Sequence, residues 1–216
     1  LITHYSLLIC MSKVKSYLSF IKFSHTIFAM PFALIGFFLA IFENTSVIPG
    51  WHTKVFPPAF DWSSLGIKLI LVILCMVFAR SAAMAFNRYL DRHFDAKNPR
   101  TAVREIPAGV ITPKNALTFT IVSCILFIAS TWFINSICFY LSPVALAVVL
   151  GYSYTKRFTP LCHLILGLGL SLAPIGAYLA VTGEFALLPI LFSIAVIFWV
   201  SGFDIIYALQ DEEFDK

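Results

Sequence analysis

Residues 64–95 read SLGIKLILVILCMVFARSAAMAFNRYLDRHFD. The run is apolar for more than the ~20 residues that cross a bilayer as a helix, and it ends in Asn87, Asp91 and Asp95. A helix turns about 100° and rises about 1.5 Å per residue. The three side chains therefore fall at roughly 0°, 40° and 80°, on one face over about 12 Å. A second apolar run closes the same way, in Asp204-Ile-Ile-Tyr207-Ala-Leu-Gln-Asp211-Glu-Glu-Phe-Asp215. There Asp204, Asp211 and Asp215 lie at about 0°, −20° and +20°. The rest of the chain reads as a membrane scaffold that brings the two acidic faces together.

Composition sets the class. Of 216 residues, 60% are hydrophobic and 12% charged, with mean hydropathy +0.90. Soluble domains are about one quarter charged. Continuous apolar runs exclude a β-barrel, whose strands alternate. The expectation is an all-α, polytopic transmembrane bundle with spans near 19–42, 64–90, 115–134, 136–151, 162–182 and 185–208. Met11-Ser-Lys-Val-Lys reads as a natural start, which makes 1–10 an N-terminal extension and 11–216 a single transmembrane domain. Residues 43–63, with Pro49, Pro57, Pro58, Trp51 and Trp62, read as an interfacial loop.

Charge gives the orientation. Of the fifteen Lys and Arg, all but Lys54, Lys68 and Arg80 fall on one side of these spans. The positive-inside rule places that side, with both acidic faces, in the cytoplasm. A net charge of +4 without a basic, aromatic-interleaved tract excludes nucleic acid as a partner. The five Cys are scattered without a Cys-x-x-Cys pair, so neither a disulfide framework nor a zinc site is indicated.

Carboxylates crowded at a membrane boundary repel one another and resist desolvation. A divalent cation resolves both problems, and hard oxygen donors without His or Cys select Mg²⁺. Mg²⁺ is usually held by one or two carboxylates together with substrate phosphates, so paired acidic faces point to a metal-bridged diphosphate. Arg100 and Arg104, in the loop after the first face, have the fork geometry that clamps phosphate. Gly151-Tyr152-Ser-Tyr154-Thr-Lys156-Arg157 reads as a second basic loop, with Tyr152 and Lys156 four residues apart. Arg80, seven residues before Asn87, points up the same face. An intramembrane Arg is expensive and functional; it pairs either with a substrate carboxylate or with Asp91. His93 faces away from Asp91, and His25 is either a packing or a cavity residue.

Together, Asn87-x-x-x-Asp91-x-x-x-Asp95, Asp204-x-x-Tyr207-x-x-x-Asp211-x-x-x-Asp215, the stretch 23–34 (FSHTIFAMPFAL), Arg100-Thr-Ala-Val-Arg104 with Pro107-Ala-Gly109, and Tyr154-Thr-Lys156-Arg157-Phe-Thr159 resemble the UbiA superfamily of intramembrane aromatic prenyltransferases. The resemblance runs from Met11 to the end. It implies a bundle of typically about nine spans, of which this chain carries about six, so the domain is expected to be C-terminally incomplete. It implies Mg²⁺-dependent transfer from a polyprenyl diphosphate to a hydroxybenzoate-type aromatic acid in ubiquinone or menaquinone biosynthesis, in a bacterial inner membrane with the active site facing the cytoplasm. Asn87, Asp91 and Asp95 would hold one Mg²⁺, and Asp211 and Asp215 another. Asp204 would sit deeper, near the acceptor or behind the second metal. Lys22, Arg100, Arg104, Lys156 and Arg157 would grip the diphosphate, and Arg80 and Tyr152 would meet the acceptor. Glu105-Ile106 departs from the Arg-Pro of many hydroxybenzoate members and opens a second acceptor, a dihydroxynaphthoate of the futalosine route. The alternative of another class, a small membrane transporter, requires ionisable groups near the midplane or broken helices, whereas these acids stand at one boundary.

Overall fold

The computed structural model describes residues 15–43, 46–47, 54–55 and 62–209. After a short helical lead at 15–20, six helices follow: α1 (Phe23–Glu43), α2 (Trp62–Asp95), α3 (Pro113–Ile134), α4 (Ser136–Thr155), α5 (Cys162–Thr182) and α6 (Leu187–Leu209). Between α1 and α2 a minimal antiparallel hairpin pairs β1 (Ser46–Val47) with β2 (Lys54–Val55), Ser46 opposite Val55. Helices α2 to α6 are long and apolar enough to cross a membrane, and α1 carries the shorter apolar stretch Ala29–Glu43.

The expected bundle is present, with two boundary differences. The second span runs on to Asp95 instead of stopping near 90, so the whole Asn87–Asp95 motif is helical. The fourth span runs to Thr155 instead of 151. Tyr152 and Tyr154 therefore sit on the last turns of α4, not in a loop. Hydropathy falls at Gly151-Tyr-Ser-Tyr-Thr, which mimics a loop, but those residues still satisfy their backbone groups within the helix as it leaves the bilayer.

Local chemistry fixes the helix ends. Thr112 caps α3, accepting from the Asn115 N–H at 3.2 Å, with Pro113 in the first turn where its missing N–H does no harm. Asn135 caps α4 by accepting from the Cys138 N–H at 2.8 Å. Gly183 ends α5 at φ 74°, and its N–H donates to the Leu179 carbonyl at 2.8 Å.

α5 sits at the centre, packed on α1, α4 and α6, and more lightly on α2. Close approach needs small residues, as between membrane helices generally. A Cβ at Gly36 of α1 would collide with the Pro174 carbonyl of α5, and one at Gly167 of α5 would lie 2.5 Å from the Ile197 carbonyl of α6. Two apolar clusters occupy the two ends. Phe20, Ile21, Ala85, Ile106, Ile111 and Ala116 pack under the loop after α2, while Phe37, Ile41, Val72, Ala177 and Ala180 pack at the opposite end. Large apolar side chains such as Ile125, Trp132, Phe133 and Phe198 stay exposed, which suits contact with lipid.

Candidate active site

The charged end of the bundle is built where α2, α4 and the loop at 96–112 meet. Asp91 and Asp95, one helical turn apart on α2, are both buried. A buried carboxylate needs a counter-charge and hydrogen bonds, and each finds them on a different element. Asp91 is paired with Lys156, just beyond α4, and with Arg157 at 3.2 Å. Arg157 also donates to the Leu90 carbonyl at 2.9 Å and lies over the Phe94 ring. Asp95 receives the Arg104 guanidinium at 2.8 and 3.0 Å. The Thr101 hydroxyl donates to the Asp95 carbonyl at 3.0 Å, which ties the loop back onto α2.

Asn87 lies on the same face. Its amide donates toward the Ser153 hydroxyl of α4 at 3.5 Å, which leaves its carbonyl oxygen for a ligand. Asn87, Asp91 and Asp95 thus offer hard oxygen donors along one face, the set that Mg²⁺ prefers. Their present cations, Lys156, Arg157 and Arg104, are partly exposed, so burial does not lock them in place. Asp211 and Asp215 lie outside the described residues, and among the described residues no group of three or more His, Cys, Asp and Glu gathers as a metal cluster.

A second layer holds the cations in place. Arg88, buried on α2, pairs with Glu105 of the loop. Glu105 also accepts from the Ser19 hydroxyl at 2.7 Å, and Arg88 lies over the Phe20 ring. Glu105 therefore binds the loop to the helical lead and to α2. Neither Arg88 nor this use of Glu105 is announced by the sequence pattern, because an Arg at the positively charged end of the bundle looks like every other Arg there.

Lys22 is exposed and stands at the junction of the lead and α1 with φ 45°. A non-glycine residue in the left-handed region is strained by about 1 kcal/mol, a pattern that clusters at ligand sites. Partial desolvation and the neighbouring Arg88 and Arg104 hold its ammonium below the usual lysine range, against a smaller opposing pull from Glu105. Lys22, Arg100 and Arg104 thus share one electrostatic neighbourhood, with Arg100 exposed.

Deeper in the bundle, the Arg80 Nε is buried without a hydrogen-bond partner among the described residues. Asp91 takes its counter-ions from Lys156 and Arg157, so of the two partners open to Arg80 the structure does not use Asp91. Tyr152 of α4 lies within electrostatic reach of Arg80, Asp91 and Asp204. Asp204 of α6 binds His163 of α5, Oδ2 to Nδ1 at 2.7 Å. His163 escaped the sequence reading: it lies in an apolar helix start forty-one residues from Asp204, with no acidic neighbour in sequence. His93 is exposed, as its position on the helix required.

Residues 29–216 match the family model of the UbiA prenyltransferase family. A relative from Tolumonas auensis, 4-hydroxybenzoate octaprenyltransferase, is 35% identical over 166 residues, covering 76% of this chain and 56% of that protein. The protein of the same name from Photobacterium profundum is 28% identical over 212 residues, covering 96% of this chain and 67% of its own length. The chain spans about half the length of the first curated relatives it matches, 50–56%. Among solved structures, the apo structure of a UbiA homolog from Aeropyrum pernix K1 matches with TM-score 0.72 and 33% identity over 89% of this chain and 66% of that one. A UbiA homolog from Archaeoglobus fulgidus bound to GPP and Mg²⁺ shares the fold, with TM-score 0.66 and 21% identity over 93% of this chain and 65% of that one.

Proposed function

The chain belongs to the UbiA prenyltransferase family, and on that premise we propose that it serves the Mg²⁺-dependent transfer of a polyprenyl group from polyprenyl diphosphate to a hydroxybenzoate-type aromatic acid in quinone biosynthesis. The protein is integral to the membrane. The reading extends to a bacterial inner membrane with the charged end in the cytoplasm, from the placement of its Lys and Arg.

One observation carries the proposal. Two buried carboxylates on a single helix face, Asp91 and Asp95, are met by Lys156, Arg157 and Arg104 from two other segments. Carboxylates for metal and cations for phosphate are interleaved within hydrogen-bonding distance, as a metal-bridged diphosphate requires.

Asn87, Asp91 and Asp95 would hold one Mg²⁺, with Asp211 and Asp215 proposed for another. Bound there, the metal neutralises the diphosphate and makes it a better leaving group. Lys22, Arg100, Arg104, Lys156 and Arg157 bind the phosphate oxygens, Arg104 by its fork and Lys156 as a point charge. Release of the Lys156 and Arg104 charges from Asp91 and Asp95 lets them stabilise the negative charge that grows as the allylic C–O bond breaks. The phenol-activated ring of the acceptor attacks the freed allylic carbon. Arg80, whose Nε lacks a partner among the described residues, takes the acceptor carboxylate, with Tyr152 and Asp204 beside it in this reading. Phe86, packed on Tyr154 at 5.7 Å, helps keep water from the cation.

The test supplies membranes holding the full-length protein with a polyprenyl diphosphate and competing 4-hydroxybenzoate and dihydroxynaphthoate, and reads products by mass spectrometry. Prenylated hydroxybenzoate with equimolar diphosphate is expected. Prenylated naphthoate alone moves the acceptor to the second class, and no prenylated aromatic product overturns the reading.

A further inference from the structure

Transfer of a prenyl cation to a ring carbon leaves one proton to be removed from that carbon. Resting on the proposed prenyl transfer, we infer that His163 is the base that takes this proton and that Asp204 is the group that orients it. The geometry begins with the 2.7 Å contact between His163 Nδ1 and Asp204 Oδ2. An ionised carboxylate only accepts, so in the neutral tautomer that donates to Asp204 the hydrogen is on Nδ1 and the lone pair lies on Nε2. Among the described residues no hydrogen bond uses Nε2. Among the described residues the base end of the imidazole is therefore unused, while its other end is held.

The pair is held on a rigid seam. The single hydrogen of the Ser201 hydroxyl of α6 is shared between the His163 carbonyl at 3.0 Å and the Ile197 carbonyl at 2.6 Å. One turn further along α5, Gly167 lets the two backbones close, since any Cβ there would lie 2.5 Å from both the Ile197 carbonyl and the Ser201 hydroxyl. The α5–α6 crossing thus fixes the carboxylate against the imidazole. Both side chains keep about a quarter of their surface open, 24% for His163 and 27% for Asp204, so the pair borders a space. His163 stands in the first turn of α5, shortly after Lys156 in the chain and so at the same end of the bundle as Asp91, and Asp204 lies within electrostatic reach of Tyr152. For this role a hydroxybenzoate with its carboxylate at Arg80 must bring its ring carbon within reach of the imidazole.

The step balances. The ring carbon beside the phenol hydroxyl forms a C–C bond to the allylic carbon as diphosphate leaves, which gives a cationic ring. Nε2 takes the hydrogen of that carbon as a proton, and the C–H electron pair restores the aromatic ring. Asp204 stabilises the imidazolium through the Nδ1 hydrogen bond, in the manner of an orienting carboxylate behind a histidine base. The imidazolium then passes its proton to water or to the departing diphosphate.

The variant His163→Asn separates this role from a tie between helices, since the Asn amide stands close to the place of Nδ1 and still donates to Asp204. With the full-length protein, kcat should fall by about a hundredfold or more, the usual range for a lost proton-transfer group. The KM for polyprenyl diphosphate should stay close to wild type. With an acceptor deuterated beside its hydroxyl, the variant should acquire a primary isotope effect larger than that of wild type, because proton loss becomes slow. His163→Asn with wild-type kcat and an unchanged isotope effect would overturn the inference while leaving the prenyl transfer intact. Should His163→Asn fail to fold, His163→Gln carries the same two readouts with the same meaning. A wild-type protein that prenylates no phenolic acid overturns both the inference and the function on which it rests.

Discussion

At the end of the bundle away from the acidic face, Lys68 donates to the Val181 carbonyl at 3.1 Å, Asn135 to the Leu179 carbonyl at 2.8 Å, and the Tyr178 hydroxyl to Glu43. At the acidic end, Lys156, Arg157 and Arg104 meet Asp91 and Asp95. Both ends hold cations, carboxylates and amides. At the far end Lys68 satisfies the Val181 carbonyl in the last turn of α5, which would otherwise be orphaned, and Asn135 adds a second bond to the Leu179 carbonyl that already accepts from the Gly183 N–H. At the near end the cations pair with one another's carboxylates, and the fold would keep its backbone bonds without them. Polar groups whose bonding is used by the backbone are structural. Buried carboxylates met by partly exposed cations, as Asp91 and Asp95 are, are the ones the proposed function uses.

The comparison breaks most severely if Asp91→Asn is harmless. The amide keeps the shape but loses the charge that would hold metal and balance Lys156 and Arg157. Turnover should fall by about a hundred- to a thousandfold, read as diphosphate release at saturating Mg²⁺, while the protein stays folded. Full turnover would remove the metal-binding reading of the face. Arg80→Ala comes next. Loss of a charge-assisted contact of about 1.5–3 kcal/mol should raise the acceptor KM by about ten- to a hundredfold and leave the prenyl diphosphate KM nearly unchanged. The reverse pattern would move Arg80 to the phosphate side.

Asn135→Ala tests the other end. Asn135 caps α4 and also donates to α5, so its loss should lower stability by about 1–2 kcal/mol, seen as a lower melting temperature in detergent. Both KM values should hold. A changed acceptor KM would show that the two ends are not separable.

Much of this was legible in the sequence because membrane burial imposes a long-range, low-resolution rule. Six apolar runs gave six helices, and the spacing of Asn87, Asp91 and Asp95 gave one face. What escaped was set by contacts between segments. Tyr152 read as loop because hydropathy drops before the helix ends. The Arg88–Glu105 pair and the His163–Asp204 pair each join residues whose sequence neighbours give no hint of the partner. Arg80 shows the intermediate case: its placement in an apolar run marked it as a candidate, but only the structure gave Asp91 to Lys156 and Arg157 and left the Arg80 Nε without a partner among the described residues.

The smallest effect concerns Lys22, where the sign can be worked out. Partial desolvation, then Arg88 and Arg104, hold its ammonium below the ordinary lysine range, so in the free protein it loses its proton at a lower pH than a solvated lysine. A bound diphosphate favours the charged form and pulls that value back up. Between the two values, binding takes up a proton, and affinity for prenyl diphosphate should fall as pH rises, by no more than about tenfold per pH unit for a single group. Below both values the affinity should be flat. Lys22→Arg keeps the charge throughout, and since both residues bear the same cost at φ 45°, it should abolish this slope without changing the fold. An equal slope in the two proteins, measured as prenyl diphosphate affinity against pH, would assign the titration to another group and take Lys22 out of the anion site. A slope present only with Lys22 would place its strained turn among the elements whose bonding is left open for the ligand.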